Sequence, residues 1–517
     1  MFIGLIRWLI IGGLIGLMAG CVSLPEPVDK HPSYALTQPQ QTTLGKIAQR
    51  SVSNPALSGF RLIPTGAEKR GMTLALMQKA EKTIDMQYFV FNDDNSGKAL
   101  LEQAQIAAHS GVRVRLLIDD YHTAGKDGLF AQVAQQANIE IRLFNPFAAA
   151  RDSLLTRVFT SIQRFEELNH RMHNKLFIAD NAIVLTGGRN VGDENFDSNP
   201  DNFVIDLDLL VTGKVVKDLS KTFDDYWNSS LAYPVATFKN NHMNLRDANE
   251  ANQKPLVEDR ECECLIASHK LLSELESGQL ELLNAPAYVV VDQPEKAIDG
   301  KVPDTAYDDA ITLARKARQE IFFLNPYFIP KAGMLELLGD ALRQGKKVQL
   351  LTNSLDAMDA PLAFTLYAKE RAGLLAQGMT IYELSPFKPI KNQDKLMEAH
   401  SHPGMHAKAI IVDRQVVFIG SVNLDPRSHS ENTEVGLVIR SPELAKQTQV
   451  FIDRLIEHSY RLSLVDPPAD SGKVGKVIQW QGGADLHHEV RDHEPGKKGW
   501  ALPLLQLITP LLPEKLF

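Results

Sequence analysis

Two short stretches of this 517-residue chain hold the same reactive residue types at the same spacing. In "HNKLFIADNAIVLTGGRN", His173 is followed by Lys175, Asp180, Gly187 and Asn190; in "HAKAIIVDRQVVFIGSVN", 233 residues downstream, His406, Lys408, Asp413, Gly420 and Asn423 repeat that spacing position for position. An imidazole serves as nucleophile or as general acid and base, and a lysine is a compact positive charge. On a strand of period two, His and Lys at i and i+2 project from one face and reach one anion. The apolar residues between lysine and aspartate hold that strand in a sheet. A glycine near the asparagine lets backbone approach a phosphate, whose oxygens accept from the amide. Two copies facing one another would place two imidazoles, two ammoniums and two amides around one pocket, a set suited to a tetrahedral anion.

The elements that must position these residues also occur twice. "TIDMQYFVF" and "VRVRLLIDD" read as strands around a helical "SGKALLEQAQIAAHSG" that ends on Gly111; "QEIFFLNPYFI", "KAGMLELLGDALRQG" ending on Gly345, and "KKVQLLTNS" repeat that order. Gly111 precedes His173 by 62 residues and Gly345 precedes His406 by 61, so the reactive motif belongs to an internal duplication. The two copies occupy residues 59–227 and 284–465.

The duplicated motif resembles the signature of the phospholipase D superfamily, H-x-K-x4-D, usually followed by G-S/G-x-x-N. "NHRMHNKLFI", "GGRNVGDENF" and "GSVNLDPRSHSENTEVGL" are similar to bacterial cardiolipin synthases, especially the type C branch. The resemblance runs from about Phe60 to Arg461. It implies an α/β fold of two α-β-α half-domains with mixed sheets and an active site at their interface. It implies covalent chemistry without metal or cofactor, with His173 as nucleophile and His406 as acid and base. Lys175, Lys408, Asn190, Asn423 and Ser421 would bind the phosphate, Gly188 standing where a second serine would be. Glu434 matches the family's acidic residue after the second motif and Asp208 is its expected counterpart, each orienting a histidine. Asp180 and Asp413 complete the catalytic signature, yet their distance along the strand favours holding the strand-turn. Asp193 and Glu194 could contact a headgroup or cap a helix, Arg427 and Ser428 match a family block, and His170 and Arg171 would add positive potential. The implied reaction passes a phosphatidyl group between glycerophospholipids to make cardiolipin, with phosphatidylglycerol and also phosphatidylethanolamine as candidate substrates. A hydrolase using water as acceptor would need the same residues.

The rest of the chain sets the context. A formal charge of −8 argues against a broad nucleic-acid surface, so no such partner is expected. Residues 1–21 read as an export signal, in which Met18-Ala19-Gly20-Cys21 resembles the bacterial lipoprotein box and implies lipid on Cys21. Val22 stands where an aspartate would retain a lipoprotein in the inner membrane, which favours the outer membrane, facing the periplasm. Residues 22–58 read as a flexible tether and 228–283 as a linker, polar and charged at first and giving way to a helical-looking "IASHKLLSELES", with Cys262 and Cys264 as incidental surface thiols. From residue 466 the chain reads as an extension with a hairpin around "KVIQWQGG" and solvated histidines at His487, His488 and His493. The closing "WALPLLQLITPLLPEKLF" is expected to pack on the second half through Leu504, Leu505, Ile508, Leu511 and Leu512, with a membrane-pressing segment as the alternative.

Overall fold

The computed structural model describes residues 24–26, 30–148, 151, 168–198, 203–238, 258–300, 302–386, 404–467, 475–496 and 498–511. Five strands of the first half carry the site: β1 (Thr83–Tyr88), β2 (Arg113–Asp119), β3 (Leu176–Ala179), β4 (Ile183–Gly187) and β5 (Asp208–Gly213). Their counterparts are β6 (Glu320–Leu324), β7 (Lys347–Asn353), β8 (Ala409–Val412), β9 (Val416–Gly420) and β10 (Val435–Arg440). Both halves run in the same spatial order, β5-β4-β3-β1-β2 and β10-β9-β8-β6-β7, within mixed sheets of nine and ten strands. β1 and β2 pair in parallel, as do β6 and β7, and the helices Asn95–His109 and Ala332–Arg343 make the crossovers. The duplication and the α/β class expected from the sequence are both present.

The strands after each motif are apolar throughout because both faces are covered. Leu176 and Ile178 of β3 join Ala409 and Ile411 of β8 in one core shared by the two halves. The alternate residues, Phe177 and Ala179 or Ile410 and Val412, pack under each half's own outer helices. Leu219, Phe223 and Trp227 of the helix Lys214–Asn228 and Leu444, Phe451 and Leu455 of the helix Pro442–Glu457 belong to the same shared core. The two halves are therefore held together by a continuous apolar core that fixes the motifs relative to one another.

Several segments differ from the sequence reading. Order begins well before Phe60: Arg115 donates to the Ser33 carbonyl at 2.7 Å and Arg142 to that of His31 at 2.9 Å. The helix Thr43–Arg50 buries Leu44 and Ile47. Eight residues carry too short an apolar period to stand out from a polar tether. In the expected linker the helical-looking stretch is part of a longer, twenty-residue helix, Glu258–Ser277, packed on Gly66–Lys79. Cys264 is a buried thiol on it, while the Cys262 side chain lies outside the described residues. The hairpin expected around "KVIQWQGG" is present, Val477–Gly482 pairing with Val490–Arg491 and also extending the second sheet beside Ser459–Val465, and His487, His488 and His493 are exposed as expected. At the C-terminus Leu502 and Leu505 pack on the second half, but Leu504 and Ile508 are exposed; the Leu511 side chain and Leu512 lie outside the described residues, as does Cys21.

Candidate active site at the junction of the two halves

Each histidine precedes its strand, on an extended segment that bonds to the other half. The His173 N–H donates to the Thr433 carbonyl at 2.9 Å, and the His406 N–H to the Ile205 carbonyl at 2.7 Å. Thr433 and Ile205 each stand one residue before an acid. That backbone pairing brings the acid of one half to the histidine of the other: His173 Nδ1 is 2.9 Å from Glu434 Oε2, and His406 Nδ1 is 2.7 Å from Asp206 Oδ2. A carboxylate only accepts, so Nδ1 keeps the proton and Nε2 offers its lone pair. The imidazole centroids are 6.2 Å apart, on a spacing that admits a phosphorus between them.

Asp208, expected to orient a histidine, does not. Its carboxylate receives the Lys69 ammonium at 3.2 Å and lies 3.1 Å from Arg189 Nε, all three side chains being buried. The sheet register gives the reason. Gly187 lies opposite Asp208 and Gly420 opposite Gly436, so the residues equivalent across the duplication are Asp206 and Glu434, each two positions earlier. Arg189 in turn donates to the Asp206 carbonyl at 2.7 Å, so Asp208 braces the backbone that presents Asp206.

Ser421 also takes a different part. It is fully buried, and its hydroxyl donates to Glu434 Oε2 while Ser428 donates to Oε1 at 2.6 Å. It therefore holds the histidine's acid and does not line the cavity. A Cβ on Gly188 would come within 2.1 Å of Asp206 Oδ1, so the first half has no serine because the acid's own carboxylate fills that space. Gly187 and Gly420 likewise serve the neighbouring strand and not a phosphate: a Cβ on either would lie 2.4 Å from the carbonyl oxygen of Leu207 or Val435. Asp180 accepts from the N–H groups of Glu81, Lys82 and Thr83 at 2.8–2.9 Å, and Asp413 from those of Arg318, Gln319 and Glu320, its shortest bonds there being 2.8–3.0 Å. Both aspartates anchor the start of the central strand rather than touch the site.

The histidines open into a cavity of about 590 Å³ lined from both halves, including Asn190, Asn423 and Arg427. The Val90 N–H occupies Asn190 Oδ1 at 3.1 Å, which leaves the amide nitrogen as that residue's donor. Lys175 and Lys408 also donate to the carbonyls of His173 and His406, the first at 2.6 Å, which holds each ammonium beside its own histidine. Arg427 reaches across to Asn169 Oδ1 at 2.7 Å. Asp193 accepts from the Ser96 N–H at 2.8 Å at the start of the helix Asn95–His109, whereas Glu194 lines the cavity. His170 and Arg171 are buried braces: His170 Nδ1 lies 3.2 Å from the Glu431 carbonyl and Arg171 is paired with Asp119 at 3.3 Å. Phe89, His122, Tyr327 and Asp359 also line the cavity, and no spacing in the sequence singles them out.

Burial, then Lys175 and Lys408, hold His173 well below the ordinary histidine range. His406 is lowered by burial and Lys408 against the pull of Asp206. Burial would raise Asp206, but His406, Lys408 and Arg189 outweigh it and hold its carboxyl below the usual range. Burial pushes Lys408 down to about 8. The sign follows directly: His173 stays a free base as pH falls past its ordinary value, and the Lys408 charge disappears as pH rises through about 8. The kcat/KM profile of the wild type on a soluble phosphodiester should have its acid limb, from His173, and its first alkaline limb, from loss of the His406 proton, both below the usual histidine value, with a further fall above about pH 8 as the Lys408 charge is lost, and Lys408→Arg should move only that last limb upward. A last limb unmoved by that substitution would remove Lys408 from the profile.

The family described as "Cardiolipin synthase, PLD-like domain" matches residues 73–227 and 310–456. Cardiolipin synthase C of Escherichia coli (strain K12) is 35% identical over 403 residues, covering 74% of this chain and 81% of that one. Major cardiolipin synthase ClsA of Bacillus subtilis (strain 168) is 24% identical over 391 residues, covering 75% and 66%. The crystal structure of phosphatidylserine synthase from Haemophilus influenzae Rd KW20 shares the fold with a TM-score of 0.57 at 15% identity, covering 91% of this chain and 98% of its own. With two histidine–carboxylate pairs exchanged between duplicated halves around one cavity, the chain belongs to the cardiolipin synthase branch of the phospholipase D-like family and is an enzyme of the phospholipase D-type phosphatidyltransferase kind.

Proposed function

We propose that this enzyme makes cardiolipin by moving a phosphatidyl group from one glycerophospholipid to the headgroup hydroxyl of a phosphatidylglycerol. The observation that carries the reading is the pair of crossed contacts, His173 to Glu434 and His406 to Asp206, on two sides of one cavity. His173 Nε2 attacks phosphorus, the bond from phosphorus to the headgroup oxygen breaks, and protonated His406 delivers its proton to that oxygen. The incoming hydroxyl then gives its proton to His406 and attacks phosphorus, and the P–N bond breaks to free His173. Lys175, Lys408, Asn190 and Asn423 supply positive charge and donors for the pentacoordinate phosphorus, each worth a few kcal/mol by analogy with other preorganised donors. Phosphatidylethanolamine suits the donor role because two acids, Glu194 and Asp359, line the cavity and would attract an ammonium.

Labelled phosphatidylglycerol with purified protein, with and without phosphatidylethanolamine, tests the reading. Cardiolipin should be the main product and should increase with the second lipid. Phosphatidic acid as the main product would mean that water is the acceptor and would overturn it.

The site of action we propose is the periplasmic face of the outer membrane, with the protein held by lipid on Cys21. The lipobox resemblance and Val22 support this, and no described helix is long and apolar enough to cross a membrane. Cys21→Ser should release the protein from the membrane fraction or leave a precursor; unchanged processing and lipid labelling in that variant would remove the assignment.

A further inference from the structure

From Gly499 to Pro513 the chain carries no charged residue, yet part of this run lies on the surface. The helix Leu502–Ile508 and its flanking turns divide by position. Leu502, Leu505 and Thr509 face inward, whereas Trp500, Leu504, Leu507 and Ile508 are exposed, Trp500 at 80% and Leu507 at 73%. A surface helix normally turns its charges outward, and a cluster of large apolar groups marks an interaction site. The position of the cluster identifies what it meets. Thr509 Oγ1 lies 2.8 Å from Thr365 Oγ1, and Thr365 donates to the Leu362 carbonyl at 2.7 Å. Leu362 belongs to the apolar wall of the catalytic cavity that runs from Ala360 to Ala363 and includes Ile329. The segment that carries the exposed face is thus held, through Thr509, on the helix whose first turn supplies that apolar wall.

We infer that Trp500, Leu504, Leu507 and Ile508 enter the apolar layer of a phospholipid bilayer and seat the cavity mouth against it. This rests on the substrate being a diacyl lipid, whose phosphodiester must reach His173 while its chains keep apolar surroundings. A tryptophan at the edge of such a face suits the boundary between headgroups and acyl chains, and the uncharged run costs nothing in desolvated charge.

The test uses the full chain reconstituted in phosphatidylglycerol vesicles with brominated acyl chains. Trp500→Phe isolates the Trp500 signal by difference, since it leaves Trp8, Trp227 and Trp480 unchanged and the last two are buried. Wild-type Trp500 should be quenched. Leu504→Glu/Leu507→Glu should lose that quenching and about tenfold or more of its turnover on vesicles, while its melting temperature and its turnover of a short-chain, monomeric phosphatidyl ester stay as in the wild type. An unquenched Trp500, or full vesicle turnover in the double variant, would overturn the inference. A double variant that melts lower and loses both activities would show a packed face, and one with an altered oligomeric state a contact between copies; either outcome also rejects it. Quenched Trp500 in a wild type that turns over neither lipid form would remove the proposed reaction and leave the membrane contact standing.

Discussion

His173→Ala and His406→Ala should each lower turnover by about three orders of magnitude or more while the protein remains folded. The two imidazoles stand 6.2 Å apart by ring centroid and each has a carboxylate from the opposite half, so neither can take over the other's part. Because they act as a unit, the double variant should be scarcely worse than either single one. An aryl phosphodiester separates their roles: its phenolate departs without a proton, so His406→Ala should release a burst of phenol that His173→Ala does not. A burst from His173→Ala and none from His406→Ala would exchange the two assignments, and near-normal turnover in either would sink the two-histidine mechanism. Circular dichroism melting of each variant separates lost chemistry from lost fold.

The second large effect distinguishes two aspartates that stand two residues apart. Asp206→Asn should lower kcat by about 10²–10⁴-fold, the range expected when a histidine keeps its hydrogen-bond partner but loses the charge that stabilises its imidazolium. Asp206 pulls His406 upward, so removing its charge lowers His406 further and should move the pH optimum down. Asp208→Asn should act through stability instead. It leaves the buried Lys69 and Arg189 without their carboxylate, a loss of about 3–5 kcal/mol when one member of a buried pair is removed. Thermal melting and pH–rate profiles of both variants check the contrast. An Asp206→Asn enzyme with wild-type kcat and an unshifted optimum would exclude Asp206 as the residue that positions His406.

The prediction for Asp208 shows where reading the sequence stopped. Asp206 and Asp208 share strand parity, so a period of two puts both on one face and cannot choose between them. The choice came from the register of β5 against β4 and from the segment around Ile205 that crosses to His406. The same limit applied to Ser421. Its place in the motif suggested a phosphate donor, but its direction depends on Glu434, thirteen residues away in sequence and 2.9 Å from a histidine of the other half. The segment 30–58 was hidden for another reason, and so was the start of the helix Glu258–Ser277, of which only "IASHKLLSELES" shows a helical pattern: their order depends on contacts with remote residues such as Arg115 and the helix Gly66–Lys79, and local composition carries little trace of such contacts.

The sequence by itself determined the duplication, the α/β class, the central strands and the reactive types at His173, Lys175, His406 and Lys408. Those properties follow from local periodicity and from spacing along one chain. Only the tertiary structure decided which acid serves which histidine, which polar groups face the cavity, and that Asp180 and Asp413 anchor the central strands. Packing the halves through one shared core places residues hundreds of positions apart within hydrogen-bond distance, and the direction of a buried carboxylate is settled by which cations and N–H groups that packing leaves to it.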